Sequence, residues 1–327
     1  MRDIVIDIGK GIGIFFVIWG HTICIINDYI YSFHIPFFFI VSGYFYSYME
    51  RYGDFFVKNV KRLLYPYAGY SLFAFIFYAL WFAVFLRGER FEYNSILKVF
   101  AVHDTVIAPL WFLVSLFEVT LLYDMIRRVV RGNVWVVLIC FLFTVTGYIA
   151  SPANYGGYVN YFHIISSLSM MFFYCAGAQL RLNGLSLYLK DKKMGVLFMV
   201  LALIVFMITS GYSSGIDINS NSINAPFIVY LANAFLGSFL MMDIAALIGN
   251  VPVIKKILAF IGDRSLAVFA LHFPMFEISR PLVSMVFEKN TYVWGFALSV
   301  TCLLVSLLCA YFIDIAICKL KKVAYSL

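Results

Sequence analysis

The feature that most constrains this chain is a succession of apolar runs, each close to the length that an α-helix needs to cross a bilayer. Such a helix takes roughly 20 predominantly apolar residues. The pattern predicts an all-α, polytopic membrane protein with about ten transmembrane helices. We place these spans at 9–27, 33–50, 64–86, 110–126, 134–150, 163–181, 194–210, 226–248, 257–279 and 292–317.

Composition leads to the same class. Hydrophobic residues make up 63% of the 327 residues, and charged residues make up only 13%. A soluble domain is nearer half apolar and about a quarter charged, and so little charge could not cover a soluble surface. We therefore expect a single integral membrane domain over residues 1–327, with the lipid bilayer as its surroundings.

The distribution of basic residues predicts the orientation. Most of the 24 Lys and Arg residues fall in alternate loops, around residues 51–62, 127–131, 181–193, 255–256 and 319–322. Because Lys and Arg concentrate in cytoplasmic loops, both termini are predicted to be cytoplasmic in a multi-pass protein of the cell membrane. The net charge of +7 follows from this bias and does not indicate a nucleic-acid partner.

The first span carries the densest set of ionisable residues, Asp7, Lys10 and His21. Such groups are unfavourable in lipid and usually face the protein interior. On a helix, Lys10 and His21 would lie about 20° from eclipsed and about 16 Å apart along the axis. Two interpretations stay open: a Lys10–Asp7 pair beside a core histidine, or a line of functional groups.

Other spans carry single candidates. Glu118 lies near the middle of the fourth span, where a carboxylate is neutralised or finds a partner; a structural and a catalytic role are both open. His34 opens the second span at its outer end, and His272 lies in the ninth, seven residues after Ser265 and on the same face. No two histidines have metal-binding spacing on one helix, and we expect no metal.

A basic cluster follows the second span. Lys58, Lys61 and Arg62 would share one face of a helix, which suits a ligand rich in phosphate. The alternative is the ordinary cytoplasmic bias with contacts to anionic lipid.

Several segments together resemble the membrane acyltransferase 3 family, and within it the fucose 4-O-acetylase-like branch. They are "MRDIVIDIGKGIGIFFVIWGH", "FHIPFFFIVSGYFY" and "KNVKRLLYPY" near the N-terminus, "LWFLVSLF" at 110–117, and "FIGDRSLAVFALHFPMF" at 260–276. Their order and spacing match the family over about the first 70 residues and the two later segments.

The resemblance implies transfer of an acyl group, usually acetyl, from cytoplasmic acyl-CoA, here acetyl-CoA, to a hydroxyl of a glycan. Lys10 and His21 match a basic residue and a histidine that many members use, and the cluster at 58–62 matches the presumed CoA-side motif. Some members carry an additional esterase-like C-terminal domain. Since this sequence has none, a second transfer step would need a partner from the glycan-synthesis machinery.

The chemistry needs a base with a pKa near neutral to deprotonate the attacking hydroxyl, and His21 is our candidate. It either acts as the base or accepts the acetyl group itself, and Lys10 supports it or the donor. His272, Ser265 and Trp111 are candidates for stabilising the oxyanion. We assign the acceptor side to His34, Trp111 and Ser265, together with Glu118 and the outer loop 87–109.

Two other classes of function compete with the enzyme. A passive exporter or flippase for a polysaccharide or lipid-linked sugar would have the same polytopic build and a polar path, but it needs no CoA-binding loop and we find no inverted repeat. The third class is a structural subunit of a glycan-synthesis complex.

The alternating basic loops generate the first prediction, which concerns topology. Cysteine labelling at Asn94 should report the outer side of the membrane, and labelling at Lys192 should report the cytoplasmic side. Reporter fusions at the same positions provide an independent check. The proposed orientation is wrong if both positions report the same side.

Overall fold

The computed structural model describes residues 3–85, 108–152 and 160–324, and within these ranges the protein is helical and contains no β-strand. The all-α class is therefore confirmed. The helices of these ranges are α1 Ile4–Gly20, α2 Asn27–Tyr44, α3 Tyr52–Asn59, α4 Tyr65–Phe85, α5 Trp111–Val129, α6 Asn133–Ile149, α7 Ile164–Leu182, α8 Lys192–Ser210, α9 Phe227–Ile248, α10 Pro252–Asp263, α11 Ser265–Ser284 and α12 Tyr292–Ala324. A π-helical turn, Val60–Leu64, joins α3 to α4.

Each of the ten predicted spans falls on one of these helices or on a joined pair. Within the described ranges, four segments are both long and apolar enough to cross a membrane: Tyr52–Phe85, Phe227–Ile248, Ser265–Ser284 and Tyr292–Ala316. These segments identify a membrane protein. Ten crossings, cytoplasmic termini and a single domain over the whole chain stay predictions.

The first two helices begin and end earlier than predicted. The structure has Ile4–Gly20 where the sequence suggested 9–27, and Asn27–Tyr44 where it suggested 33–50. The reason is that the connection at 21–26 contains three isoleucines, so hydropathy continues past the point where helical hydrogen bonding stops. We had expected His21 to lie inside the helix. It instead caps the end of α1.

The predicted ninth span is two helices rather than one. α10 ends at Asp263, Arg264 leaves the helical conformation, and α11 begins at Ser265. The guanidinium of Arg264 lies 4.0 Å from the ring centroid of Phe260. A single arginine between apolar residues hardly lowers the mean hydropathy of the run, so the break is not visible in the sequence pattern.

Two pairs of helices approach so closely that only glycine fits between them. A Cβ atom on Gly11 of α1 or on Gly262 of α10 would overlap the backbone of the facing helix. The same holds for Gly43 of α2 and Gly177 of α7. Small residues allow this close backbone packing, which is the main source of helix association in a membrane.

A polar contact on the predicted cytoplasmic side attaches the α2–α3 connection to α5. Arg128 pairs with Asp124 at 2.6 Å, and its guanidinium also donates to the carbonyls of Met49 at 2.6 Å and Glu50 at 2.9 Å. The hydroxyl of Tyr46 donates to the same Asp124 at 2.7 Å. These bonds position α3, and with it the basic cluster.

The glycine contacts generate the second prediction. Gly177→Ala should lower the free energy of unfolding by about 1–3 kcal/mol, which is typical of overpacking, because the new methyl group meets the carbonyl of Ile40. The matched control is Gly69→Ala in α4, where an added Cβ has no neighbour within 4 Å. Thermal unfolding of the purified variants in detergent measures the difference. Equal stability of the two variants would contradict the packing described here.

Candidate active site

A cavity of about 430 Å³ opens beyond the end of α1, and we call it the outer cavity after the predicted outer side of the membrane. The helices α1, α2, α5 and α11 form its walls, together with the connection between α8 and α9. Its lining includes His21, Tyr31, His34, Trp111, Asp217 and Phe269. Three predicted site residues therefore line one cavity: His21 at the end of α1, His34 on α2 and Trp111 on α5.

His21 lies at the floor of this cavity. Its backbone N–H caps α1 by donating to the carbonyls of Ile18 and Trp19, and its side chain is accessible from the cavity. The Nδ1 atom lies 3.2 Å from the hydroxyl of Tyr31, in the second turn of α2. A histidine beside a second polar group in a cavity is a candidate general base.

Two further histidines surround His21, and each is held by its own helix. His272 is fully buried, and its ring centroid lies 5.5 Å from that of His21 in a stacked arrangement. Its Nδ1–H donates to the carbonyl of Phe269 at 2.7 Å, while the Nδ1–H of His34 donates to the carbonyl of Ile30 at 2.7 Å. Both neutral rings therefore present only an acceptor at Nε2, and that of His272 has no hydrogen-bond partner among the described residues.

A second cavity, of about 200 Å³, lies nearer the start of α1, beside Lys10, and we call it the inner cavity. Its lining includes Lys10, Arg62, Ser265, Phe112 and Phe269. The Nζ atom of Lys10 lies 2.6 Å from Asp7, so the predicted pair exists, yet Lys10 also reaches the cavity. Ser265 begins α11, and the free N–H groups at a helix start favour negative charge.

The basic cluster does not act as one unit in this structure. Of its three members, only Arg62 lines the inner cavity. All three residues are exposed, and the Nζ atom of Lys58 donates to Ser47 at 3.1 Å. Lys61 and Arg62 lie in the π-helical turn, whose i→i+5 bonding changes the register assumed for a regular helix.

Glu118 lines neither cavity. Its carboxylate accepts a hydrogen bond from Ser167 of α7 at 2.7 Å, and Ser167 is also 2.8 Å from the hydroxyl of Ser115. This is a hydroxyl partner of the kind that the structural interpretation expected, and a role of Glu118 on the acceptor side stays a prediction. Most of the outer loop 87–109 lies outside the described residues, although Pro109 lines the outer cavity.

Two residues of the outer cavity, Tyr31 and Asp217, were not among the predicted site residues. Asp217 lies in the connection between α8 and α9, where its carboxylate accepts from the N–H of Asn219 at 3.0 Å and from the hydroxyl of Ser220 at 2.7 Å. Tyr31 is one of 23 tyrosines. Nothing in the local sequence distinguishes Tyr31 from the other tyrosines of the chain, or Asp217 from the other aspartates.

Comparison with known families defines the class of this site. The model of the acyltransferase 3 family, described as an acyltransferase domain, matches residues 3–312. The chain belongs to the acyltransferase 3 family. Together with the apolar helices, this makes it a membrane acyltransferase. Neither the comparison with curated proteins nor the comparison with solved structures finds a match, and the fucose 4-O-acetylase-like branch stays a prediction.

Within this family assignment, the described residues offer no metal centre. In the ranges 3–85, 108–152 and 160–324, no group of three or more His, Cys, Asp or Glu side chains is arranged to hold a metal ion. The site is therefore characterised by histidines, a tyrosine and carboxylates around one cavity, and by cationic groups around the other.

Proposed function

We propose that this acyltransferase 3 family protein transfers an acetyl group from cytoplasmic acetyl-CoA to a hydroxyl of a cell-surface or exported glycan, in the cell membrane. The observation that supports this most is the presence of two cavities along α1, one beside Lys10 and one beside His21. A donor that enters from one side and an acceptor that enters from the other would meet between them.

The inner cavity suits the donor. Arg62 carries a permanent charge and can bind phosphate through two parallel hydrogen bonds. Most of the remaining lining is apolar, with Ile14, Phe38 and Leu116 among its members, which suits the uncharged arm that carries the thioester. Lys58 and Lys61 lie on the exposed surface nearby, where they can add longer-range attraction to an anionic donor.

The outer cavity suits the acceptor and the base. As the acceptor oxygen attacks the thioester carbonyl carbon, His21 takes the hydroxyl proton. The carbon–sulfur bond then breaks, and the CoA sulfur takes that proton back from the imidazolium. Asp217 lines the same cavity as His21, and a carboxylate near the imidazolium stabilises it while it exists. The thioester supplies the driving force, so the proposed reaction includes no metal.

The other predicted residues take different parts in this proposal. The bond from Nδ1 of His272 to the carbonyl of Phe269 requires Nδ1 to carry the proton, so the neutral ring has no further N–H to offer an oxyanion and serves as a packed neighbour of His21 and a proton acceptor. Trp111 lines the outer cavity and stays the candidate donor there, whereas Ser265 lines the inner cavity and belongs with the thioester before transfer. His34 forms part of the acceptor wall.

The third prediction tests the base. His21→Ala should reduce acetyl transfer by about 10²–10⁴-fold, the usual contribution of general base catalysis, with donor binding retained. Tyr31→Phe removes one hydrogen bond to His21 and should reduce the rate by about two- to tenfold. Tyr212→Phe, on the exposed connection after α8, is the matched control.

The measurement is transfer of labelled acetyl from acetyl-CoA to isolated envelope glycan by the purified protein in vesicles. Label trapped on His21 without acceptor would favour the covalent relay over base catalysis. Near-normal transfer by His21→Ala would remove His21 from the mechanism, and absence of transfer by the wild-type protein would reject the proposed reaction.

The fourth prediction separates the inner cavity from the surface charge. Arg62→Gln should weaken binding of acetyl-CoA by about 1.5–3 kcal/mol, the usual value for a hydrogen bond to a charged group. Lys58→Gln should change it far less, because Lys58 lines no part of the cavity. Titration calorimetry at two salt concentrations gives both values. Unchanged affinity in both variants would support the lipid-contact interpretation of the basic cluster, and equal losses would contradict the distinction between Arg62 and Lys58.

A further inference from the structure

The two cavities are separated by a layer about one helical turn thick. On α1, α2 and α5, the residues that line one cavity lie within one turn of those that line the other, which is roughly 5 Å along each helix. The pairs, inner residue first, are Ile14 and Val17, Phe38 and Ile35, and Phe112 and Trp111. On α11, a single residue, Phe269, lines both cavities.

Phe269 therefore lies at the boundary between the outer and the inner cavity. It is only 6% exposed, and its ring meets that of Phe112 at 5.2 Å in an edge-on contact. Its backbone carbonyl accepts the Nδ1–H of His272, so the main chain is held beside the two stacked histidines. The residue lines both cavities, so a side chain that rotated about its own torsions would have space in one cavity or the other.

We propose that the Phe269 side chain is the movable partition between donor and acceptor, and that the acyl group reaches His21 only when this ring turns aside. The proposal rests on the proposed function for the identity of the donor. In the closed position the ring keeps water of the outer cavity away from the thioester. Phe269 is thus a positioning residue that makes transfer to the acceptor faster than transfer to water.

The side reaction that the partition suppresses is hydrolysis. Water would attack the thioester carbonyl carbon, the carbon–sulfur bond would break, and one proton would pass to the CoA sulfur. The products are acetate and free CoA. Excluding water from a reactive intermediate in this way is a known use of closed active sites, and here it needs no more than one aromatic ring.

A plain packing role for Phe269 is the competing explanation, and α11 offers a matched control for it. Phe276 is also buried, at 3% exposure, and its ring also contacts His272, with the centroids 5.9 Å apart. It lines neither cavity. Phe276→Ala therefore removes the same buried ring from the same helix without touching the boundary.

The first test measures access and needs no enzymatic activity. A Ser265→Cys probe lines the inner cavity, in a background where the three incompletely buried cysteines, Cys24, Cys309 and Cys318, are replaced by serine. A membrane-impermeant methanethiosulfonate is added to sealed vesicles from the side of the outer cavity. Labelling of a Tyr212→Cys variant identifies that side.

We expect slow modification of the probe when Phe269 is present and modification about tenfold faster with Phe269→Ala, since a closed site excludes solvent and reagents. Phe276→Ala should leave the slow rate unchanged. Equal rates with and without Phe269→Ala would overturn the proposal, and so would equal acceleration by Phe276→Ala. Phe269→Leu, which keeps a smaller apolar side chain, should act in the same direction and replaces the alanine variant if that variant does not fold.

The second test measures hydrolysis of acetyl-CoA without acceptor. Phe269→Ala should raise this rate about tenfold through admission of water, and Phe276→Ala should not; no rise with Phe269→Ala would overturn the water-excluding role. Different results would reject the proposed acetyl transfer and the proposed partition by Phe269. A wild-type protein that transfers no acetyl rejects the proposed function, whereas the labelling rates decide the partition independently of it.

Discussion

The backbone contact between α1 and α10 is the constraint on which the site depends. Because Gly11 and Gly262 have no Cβ, α10 lies directly against α1. α10 ends at Asp263, and α11 starts at Ser265, which lines the inner cavity. Ser265 and His272 are separated by about two turns, or roughly 10 Å. That length carries α11 from the cavity beside Lys10 to the ring of His21. A side chain at either glycine would move α11 and separate the histidines.

The bilayer explains why the polar groups of this protein fall into two kinds. Lipid offers no hydrogen-bond partner, so a polar side chain in a span must find one within the protein. Glu118 finds Ser167 on α7, and Asp124 finds Arg128 of its own helix and Tyr46 of the α2–α3 connection, so these groups have partners within the protein. His21, by contrast, keeps an accessible ring beside a cavity, and His272 keeps an unpaired nitrogen among the described residues. Function is more readily assigned to groups whose bonding capacity is incompletely used.

The sequence predicted the helical class and assigned His21, His34 and Trp111 to one site, because the chain has only five histidines and five tryptophans. It could not predict Tyr31 or Asp217. The Tyr31 contact depends on the path of the short connection 21–26, and Asp217 arrives from a segment nearly two hundred positions later in the chain. Hydropathy also could not show the break at Arg264 or the π-helical turn around Arg62, since both preserve the apolar average. Periodicity therefore predicts which residues avoid lipid but not which partners they meet.

The thinness of the boundary between the cavities has a consequence for how the reaction could work across a membrane. The phosphate groups of the donor cannot enter the layer between Ile14 and Val17, because an unpaired charge in an apolar layer is strongly unfavourable. An acceptor with many hydroxyls cannot enter it either without leaving hydrogen bonds unmade. A short acyl group on a neutral thioester meets neither obstacle, and it has to advance by only about one helical turn. In the proposed mechanism, the acyl carbon is thus the one part of either substrate that this architecture allows to pass Phe269.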